Sequence, residues 1–309
     1  MCMQTQEKVK TAEKRMWTDP IPFGRAADTA VFYDIISRIA AEYPAVRVSS
    51  IGESIMGREI PVITLGEHRE SRGILLTGGF SGTDLYTPAM LLRFVRDYAE
   101  YLSAGKRIYS VSLPYLYASR TIHVVPMLNP DGYAIRRVGV SDIPIADRLI
   151  RQNGGGDFSS WRYNARGVNL TENFVNREDK RTEREPETES LCRYIRMAQN
   201  GVIGKIEMAV ELHADSSAIR YFSGEKTAPR SKTIARLLAR MTGCRMDPGE
   251  GMREEGGSLT DYFLQTVGCP AFSCGCLDAG GEKCASVEEE YLRMYAAFRE
   301  ALFSAALLL

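Results

Sequence analysis

An imidazole and two carboxylates stand where segments with strand-like patterns give out. Asp84 closes the run Gly79-Phe80-Ser81-Gly82-Thr83-Asp84, and His213 and Asp215 follow the apolar stretch Ile206 to Leu212. Imidazole and carboxylate are the usual side-chain donors to zinc, and a set richer in oxygen suits magnesium or manganese. Asp215 is the best third oxygen ligand, although it reads more simply as a loop aspartate making a turn hydrogen bond. The other two histidines are poorly placed. His68 lies in a polar loop, and His123 sits inside an apolar strand, where a core imidazole with one hydrogen-bond partner is expected.

Thiols are the other reactive groups. Four of the seven cysteines fall late, at Cys269, Cys274, Cys276 and Cys284, without a paired Cys-x-x-Cys knuckle. An odd number of cysteines without an export signal argues for reduced thiols, and buried ones behave as small apolar side chains. If Ala271 to Cys276 is a regular strand, Cys274 and Cys276 share one face and the residue between them points to the other.

The elements that must position these groups alternate along the chain. Val31 to Tyr43 has helical apolar spacing and is stopped by Pro44. Val46 to Ile51 and Glu59 to Leu65 read as a hairpin around Met56-Gly57-Arg58. Ile74 to Thr77 is a short buried strand, Pro88 to Leu102 a helix and Thr121 to Met127 a strand. Further on, Ile206 to Leu212 and Ala271 to Cys276 read as strands. Lys232 to Met241, Leu259 to Val267 and Val287 to Leu307 read as helices. Gly139 to Val175 reads as one long ordered loop. This alternation predicts an α/β fold with a mixed, mostly parallel central sheet and helices on both faces. In such sheets ligands bind beyond the carboxyl ends of the strands, so Gly79 to Asp84, Asn129 to Gly132 and His213 to Asp215 are expected to share one crevice.

Composition narrows the classes. At 309 residues, with 44% hydrophobic and 25% charged residues, one large core is expected. The expected division is an N-terminal extension over 1–25 and one domain over 26–309. Thirty-nine basic residues balance thirty-nine acidic ones, which gives no field for nucleic acid or an anionic membrane. Met1 to Trp17 holds no apolar run of the signal-peptide kind, and Ala301 to Leu309 is about half the length of a membrane span. A cytoplasmic protein is the expectation.

Taken in order, several of these segments resemble the zinc carboxypeptidases, the carboxypeptidase A-like metallopeptidases. The resemblance rests on Gly79 to Asp84, Asn129-Pro130-Asp131-Gly132, Asn164-Ala165-Arg166-Gly167-Val168-Asn169-Leu170, His213 after a strand, and Pro270-Ala271-Phe272-Ser273. Arg184-Glu185-Pro186-Glu187-Thr188 also looks like a family segment. The hairpin Ser54-Ile55-Met56-Gly57-Arg58-Glu59-Ile60-Pro61 and the Asn-Pro-Asp-Gly turn resemble the bacterial branch that cleaves peptidoglycan-type peptides. The resemblance covers roughly residues 30 to 300 and implies zinc as cofactor and a peptide as ligand.

It also implies roles that this chain fills poorly. The family holds zinc with a histidine, a glutamate three residues later and a distant second histidine, and these positions are Ser81, Asp84 and His213. A neutral serine hydroxyl is a poor zinc ligand, and Asp84 is one methylene shorter than glutamate. The glutamate that deprotonates the zinc-bound water corresponds to Gly275, which cannot move a proton. Arg166 matches the arginine that polarises the scissile carbonyl. Thr171 and Glu172 stand at the asparagine and arginine of the carboxylate clamp, and Glu172 reverses its charge.

Three readings follow. The first is a degenerate peptidase whose zinc is weakly held or lost, with a crevice that binds a peptide or a surface that binds a protein partner. The second is an active metallocarboxypeptidase with displaced ligands such as Asp84, His213 and Asp215. Its base would come from Glu211, Glu254 or Glu255, each of which reads more simply as a solvated charge. The third is a different activity in the same crevice, served by a metal with oxygen ligands.

Overall fold

The computed structural model describes residues 29–67, 71–141, 143, 145–174, 183–224, 227–250, 257–277 and 286–309. The 1–25 extension, His68, Glu254, Glu255 and Cys284 fall outside the described residues.

An eight-stranded mixed sheet in the order β1-β2-β6-β3-β7-β10-β8-β9 forms the centre of the fold. Its strands are β1 (Val46–Glu53), β2 (Glu59–Leu65), β3 (Arg72–Thr77), β6 (Arg120–Val125), β7 (Lys205–His213), β8 (Ala218–Ser223), β9 (Arg245–Glu250) and β10 (Ala271–Gly275). The inner run β6-β3-β7-β10 is parallel, and antiparallel pairs join β1 to β2, β2 to β6 and β10 to β8. Two short strands, β4 (Arg107–Ile108) and β5 (Val111–Ser112), pair separately.

The helices are α1 (Thr29–Glu42), α2 (Tyr86–Ser103), α3 (Leu113–Ser119), α4 (Pro130–Val138), α5 (Ala146–Asn153), α6 (Pro186–Gln199), α7 (Ser231–Thr242), α8 (Leu259–Val267) and α9 (Val287–Ala305). They cover both faces of the sheet. On one, Ile74, Leu76, Val210, Leu212, Phe272 and Cys274 bury against α1, α2, α7 and α9. On the other, Leu75, Ala209 and Ala271 bury against Leu191 and Ile195 of α6 and Phe263 of α8. The period-2 alternation of strand side chains assigns each residue of β3, β7 and β10 to one of these cores, which is why these strands read as continuous apolar runs. Among the described residues no helix is long and apolar enough to cross a membrane.

Most expected elements are present, with four differences. Asn129-Pro130-Asp131-Gly132 does not form a free-standing turn: it opens α4. The Asn129 side chain accepts the Gly132 N–H at 2.8 Å, and Pro130 takes the first helical position, where its missing N–H costs nothing. β6 stops at Val125, because Pro126 has no N–H to continue the ladder. The segment expected as a loop between Gly139 and Val175 contains α5 and a 3-10 turn, Leu170–Glu172. It has a small core of its own in which Val140, Leu149, Phe158, Trp161 and Ala165 join Ile135 of α4. Finally, α3, β4, β5, α6, β8 and β9 were not expected at all. α6 places Leu191, Cys192, Ile195 and Ala198 on one buried stripe. β9 contains Pro248 and Gly249 and survives as a strand because it is the outermost one.

Cys192, Cys244, Cys269, Cys274 and Cys276 are free thiols. Cys274 and Cys276 face the α7–α9 core as expected, and burial pushes both thiols well up. They are inert packing groups.

Candidate active site and its altered groups

Strand register creates the site. Thr77 of β3 and Ser273 of β10 both stand opposite Glu211 of β7, and Gly275 stands opposite His213. All of these share the sheet face on which Leu75, Ala209 and Ala271 meet α6 and α8. The row lies at the carboxyl ends of parallel strands, where the loops after β3, β6 and β7 converge.

His213 is half-buried and engaged at both ends of its ring. Nε2 lies 2.9 Å from the Ser273 hydroxyl, and Nδ1 makes a short bond with the Asp215 carboxylate. Burial alone pushes the imidazole pKa down. The Asp215 bond and the charges of Glu211, Asp215 and Asp84 outweigh that and leave it above its ordinary value. Asp215 is held low by the same bond. Its carboxylate thus serves His213, where sequence alone suggested a turn bond.

Glu211 was expected as a solvated charge and is instead 4% exposed. Burial pushes its carboxyl up to about 7. Its Oε2, like the Oγ1 of neighbouring Thr77, has no hydrogen-bond partner among the described residues.

The loop after β3 is shaped by glycine. Gly79 has φ +64, and a Cβ there would meet the Cα of Met127 at 2.9 Å; a Cβ on Gly82 would meet the carbonyl oxygens of Gly132 and Trp161 at 2.5 Å. The loop is therefore pressed against the start of α4 and the 161–163 segment. Ser81 turns its hydroxyl onto Thr83 Oγ1 at 2.7 Å and accepts the Thr83 N–H at 3.3 Å. Asp84 is buried, and burial raises its pKa. Its two oxygens accept the Thr87 N–H at 3.0 Å and the Thr87 hydroxyl at 2.5 Å, which caps the start of α2.

Gly275 is closed off. A Cβ built on it would stand 2.6 Å from the Ser216 carbonyl carbon, because Cys276 and Leu277 donate their N–H groups to His213 and Ser216 and draw that segment over the strand end. A glutamate at 275 has no room in this arrangement.

The expected substrate clamp is scattered among structural bonds. Arg166 is half exposed and pairs with Glu185 at 3.5 Å. Thr171 donates its hydroxyl to Asn169 Oδ1 at 2.8 Å, and Glu172 is exposed. Around Arg166 lies a buried polar network that sequence reasoning missed. Asn164 donates to Glu185 at 3.0 Å and to Glu187 at 3.5 Å. Glu187 accepts the Ile55 N–H at 3.3 Å, and burial pushes its carboxyl up to about 7. Asp131, fully buried, accepts from Ser54 Oγ, Met56 N and Arg58 Nη1 at 2.8, 2.9 and 2.7 Å. Together these residues fasten the β1–β2 hairpin tip to α4, α6 and the 164–168 turn.

A profile described as zinc carboxypeptidase (peptidase M14) matches residues 32–258, and the chain belongs to that family. Among curated relatives, it is 25% identical over 259 residues to gamma-D-glutamyl-L-diamino acid endopeptidase 1 of Lysinibacillus sphaericus, covering 80% of this chain and 64% of that protein. It is 27% identical over 134 residues to a zinc carboxypeptidase of Saccharothrix mutabilis subsp. capreolus, covering 42% of this chain and 26% of that one. The chain thus matches less than two thirds of the length of either relative.

Solved structures share the fold at low identity. Bovine thrombin-activatable fibrinolysis inhibitor in complex with tick carboxypeptidase inhibitor superposes with TM-score 0.66 at 16% identity, covering 91% of this chain and 96% of that one. Carboxypeptidase A from Helicoverpa armigera gives 0.63 at 16%, covering 98% and 81%.

Zinc is the metal expected of this family. The donors here fit it poorly. Ser81 is a hydroxyl tied to Thr83, Asp84 is tied to Thr87 through both oxygens, and His213 is bonded through both nitrogens. Among the described residues no three His, Cys, Asp or Glu side chains are grouped to hold one metal ion, and that includes Asp84, His213 and Asp215.

Proposed function

We propose that this chain is a degenerate zinc carboxypeptidase-family protein that does not hydrolyse peptides through zinc and keeps its crevice as a peptide-binding surface. The observation that carries this reading is the closure of Gly275 under Ser216, which removes both the general base and the space for one. Metal-assisted peptide hydrolysis needs a group that takes a proton from water and returns it to the leaving amine. The internal bonding of Ser81, Asp84 and His213 supports the same conclusion for the metal. Zinc is weakly held or absent in this reading.

The ligand we assign is a peptide of the peptidoglycan type. Support comes from the likeness to the L. sphaericus endopeptidase and from the Ser54 to Pro61 hairpin, whose tip the buried Asp131 and Glu187 fasten to α4 and α6. Glu172 in place of a cationic clamp disfavours a free terminal carboxylate, so an internal peptide segment fits better. We further assign residues 26–309 to one carboxypeptidase-like domain behind a 1–25 extension.

An active peptidase with displaced ligands has one observation in its favour. Glu211 is a buried carboxyl with a pKa pushed into the range of a general base, next to His213 on the same strand face. Elemental analysis of protein purified without a metal-affinity tag, followed by zinc titration, separates the two. We expect substoichiometric zinc and weak uptake by a folded protein. One tightly held zinc per chain, with turnover of a gamma-D-glutamyl-diaminopimelate peptide, would establish the active reading instead.

A further inference from the structure

We infer that Ser273, His213 and Asp215 form a nucleophile, base and orienting carboxylate, and that the crevice reacts with acyl esters through Ser273. This rests on the metal-free reading, because His213 cannot both ligate zinc and take a proton from Ser273 through the same pair of nitrogens.

Three side chains, one from β10 and two from the end of β7 and the loop after it, make the arrangement. Ser273 lies mid-strand in β10, half-buried, with its hydroxyl 2.9 Å from His213 Nε2. His213 is the last residue of β7, and Asp215, two residues on, turns back to bond Nδ1. The Asp215 carboxylate accepts a hydrogen bond from Nδ1–H, which leaves the Nε2 lone pair directed at the Ser273 hydroxyl. Nucleophile bonded to base, and base bonded to an orienting acid, is the arrangement that activates a serine whatever the fold or the order along the chain. The register explains why it forms here. Ser273 faces Glu211 and lies diagonal to His213, two residues along the strand from Gly275, the direct neighbour of His213. A side chain at 275 would stand beside the imidazole, and its absence lets the ring lean onto Ser273.

The residue is also reachable. The His213 side chain is 20% exposed, Asp215 is 65% exposed, and Ser273 is not sealed by the core that buries Phe272 and Cys274 on either side of it. In the step, Ser273 Oγ bonds to the ester carbonyl carbon as its proton passes to His213 Nε2. The carbonyl–alkoxy bond then breaks, and the departing alkoxide takes the proton from His213. Water, deprotonated by His213, next attacks the acyl-serine and releases the acid, with Ser273 recovering its proton. The net reaction is ester plus water to acid plus alcohol.

The test uses the full chain and an alkyl fluorophosphonate, which the serine oxygen attacks with loss of fluoride, with and without a strong chelator, alongside zinc analysis of the same sample. Intact-mass and peptide mapping should find one adduct per chain, on Ser273, formed equally in chelator. Ser273→Ala should abolish it. His213→Gln should slow it by at least about a hundredfold, the scale of general-base assistance. Asp215→Asn should slow it too, with Asp215→Glu recovering part of the rate, a pattern that a merely structural role for Asp215 would not give. Labelling of the unaltered chain needs no variant to fold. A folded, zinc-free protein with no adduct, or with the adduct on another residue, overturns the relay and leaves the metal-free reading intact. One zinc per chain with Ser273 unlabelled overturns both.

Discussion

Gly275 and Ser216 are packed so closely that a Cβ on the glycine would lie 2.6 Å from the serine carbonyl carbon. Backbone cannot yield as a flexible side-chain tip does. Gly275→Ala should therefore destabilise the fold by about 1–3 kcal/mol, the usual cost of overpacking. Gly275→Glu should cost at least as much and restore no peptidase activity. Chemical denaturation of both variants is the check, and an unchanged midpoint for Gly275→Glu would show that the 213–216 segment readily moves aside.

Restoring ligands separates metal binding from catalysis. Ser81→His with Asp84→Glu should tighten zinc binding at least about tenfold in calorimetric titration, the scale on which single changes around a site alter metal affinity. The same pair should lower stability by about 1 kcal/mol, because Asp84 stops capping the start of α2 through Thr87. Unchanged zinc affinity would mean that these two positions do not belong to the metal site.

The buried Glu187 carboxyl, raised to about 7, makes stability depend on pH. Below the ordinary glutamate pKa both folded and unfolded chains hold the proton. As pH rises toward 7 the unfolded chain releases it first, so the folded state loses stability, by up to roughly 3 kcal/mol from this group. Above about 7 its contribution levels off. Denaturation midpoints measured from pH 5 to 8 should fall, and Glu187→Gln should flatten part of that slope. A Gln variant with the same slope as the unaltered protein would assign the effect elsewhere.

Asp131→Ala should be among the most damaging single changes. It leaves the Ser54 hydroxyl, the Met56 N–H and the Arg58 guanidinium without their shared acceptor. Leaving buried donors unpaired costs about 1–3 kcal/mol for each neutral group, so a loss of about 3 kcal/mol or more is expected. Arg58→Ala, which removes only one partly exposed donor, should cost clearly less. Equal losses in thermal denaturation would contradict this account.

The sequence makes the central strands and long helices legible because Ile74 to Thr77, Ile206 to Leu212 and Pro88 to Leu102 carry unmixed periodic signals. β9 is hidden by Pro248 and Gly249, which only an outermost strand accepts. Asn129 misleads because the residues that make a turn also cap a helix. The altered positions Ser81, Thr171, Glu172 and Gly275 are visible as departures at fixed landmarks. The bond between His213 and Ser273 is not, since it depends on the register of two strands sixty residues apart in the chain. Glu211 is misread for a related reason. A charged residue in a strand gives no local sign of which core its face meets.

The small core of Ile135, Val140, Leu149, Phe158, Trp161 and Ala165 makes the segment beside the site a cooperative unit in its own right. Such a unit opens and closes with a free energy below that of global unfolding. Amide hydrogens of α5 should therefore exchange together, well before those of β3 and β7, and a bound ligand resting on this wall would slow their exchange without touching the sheet.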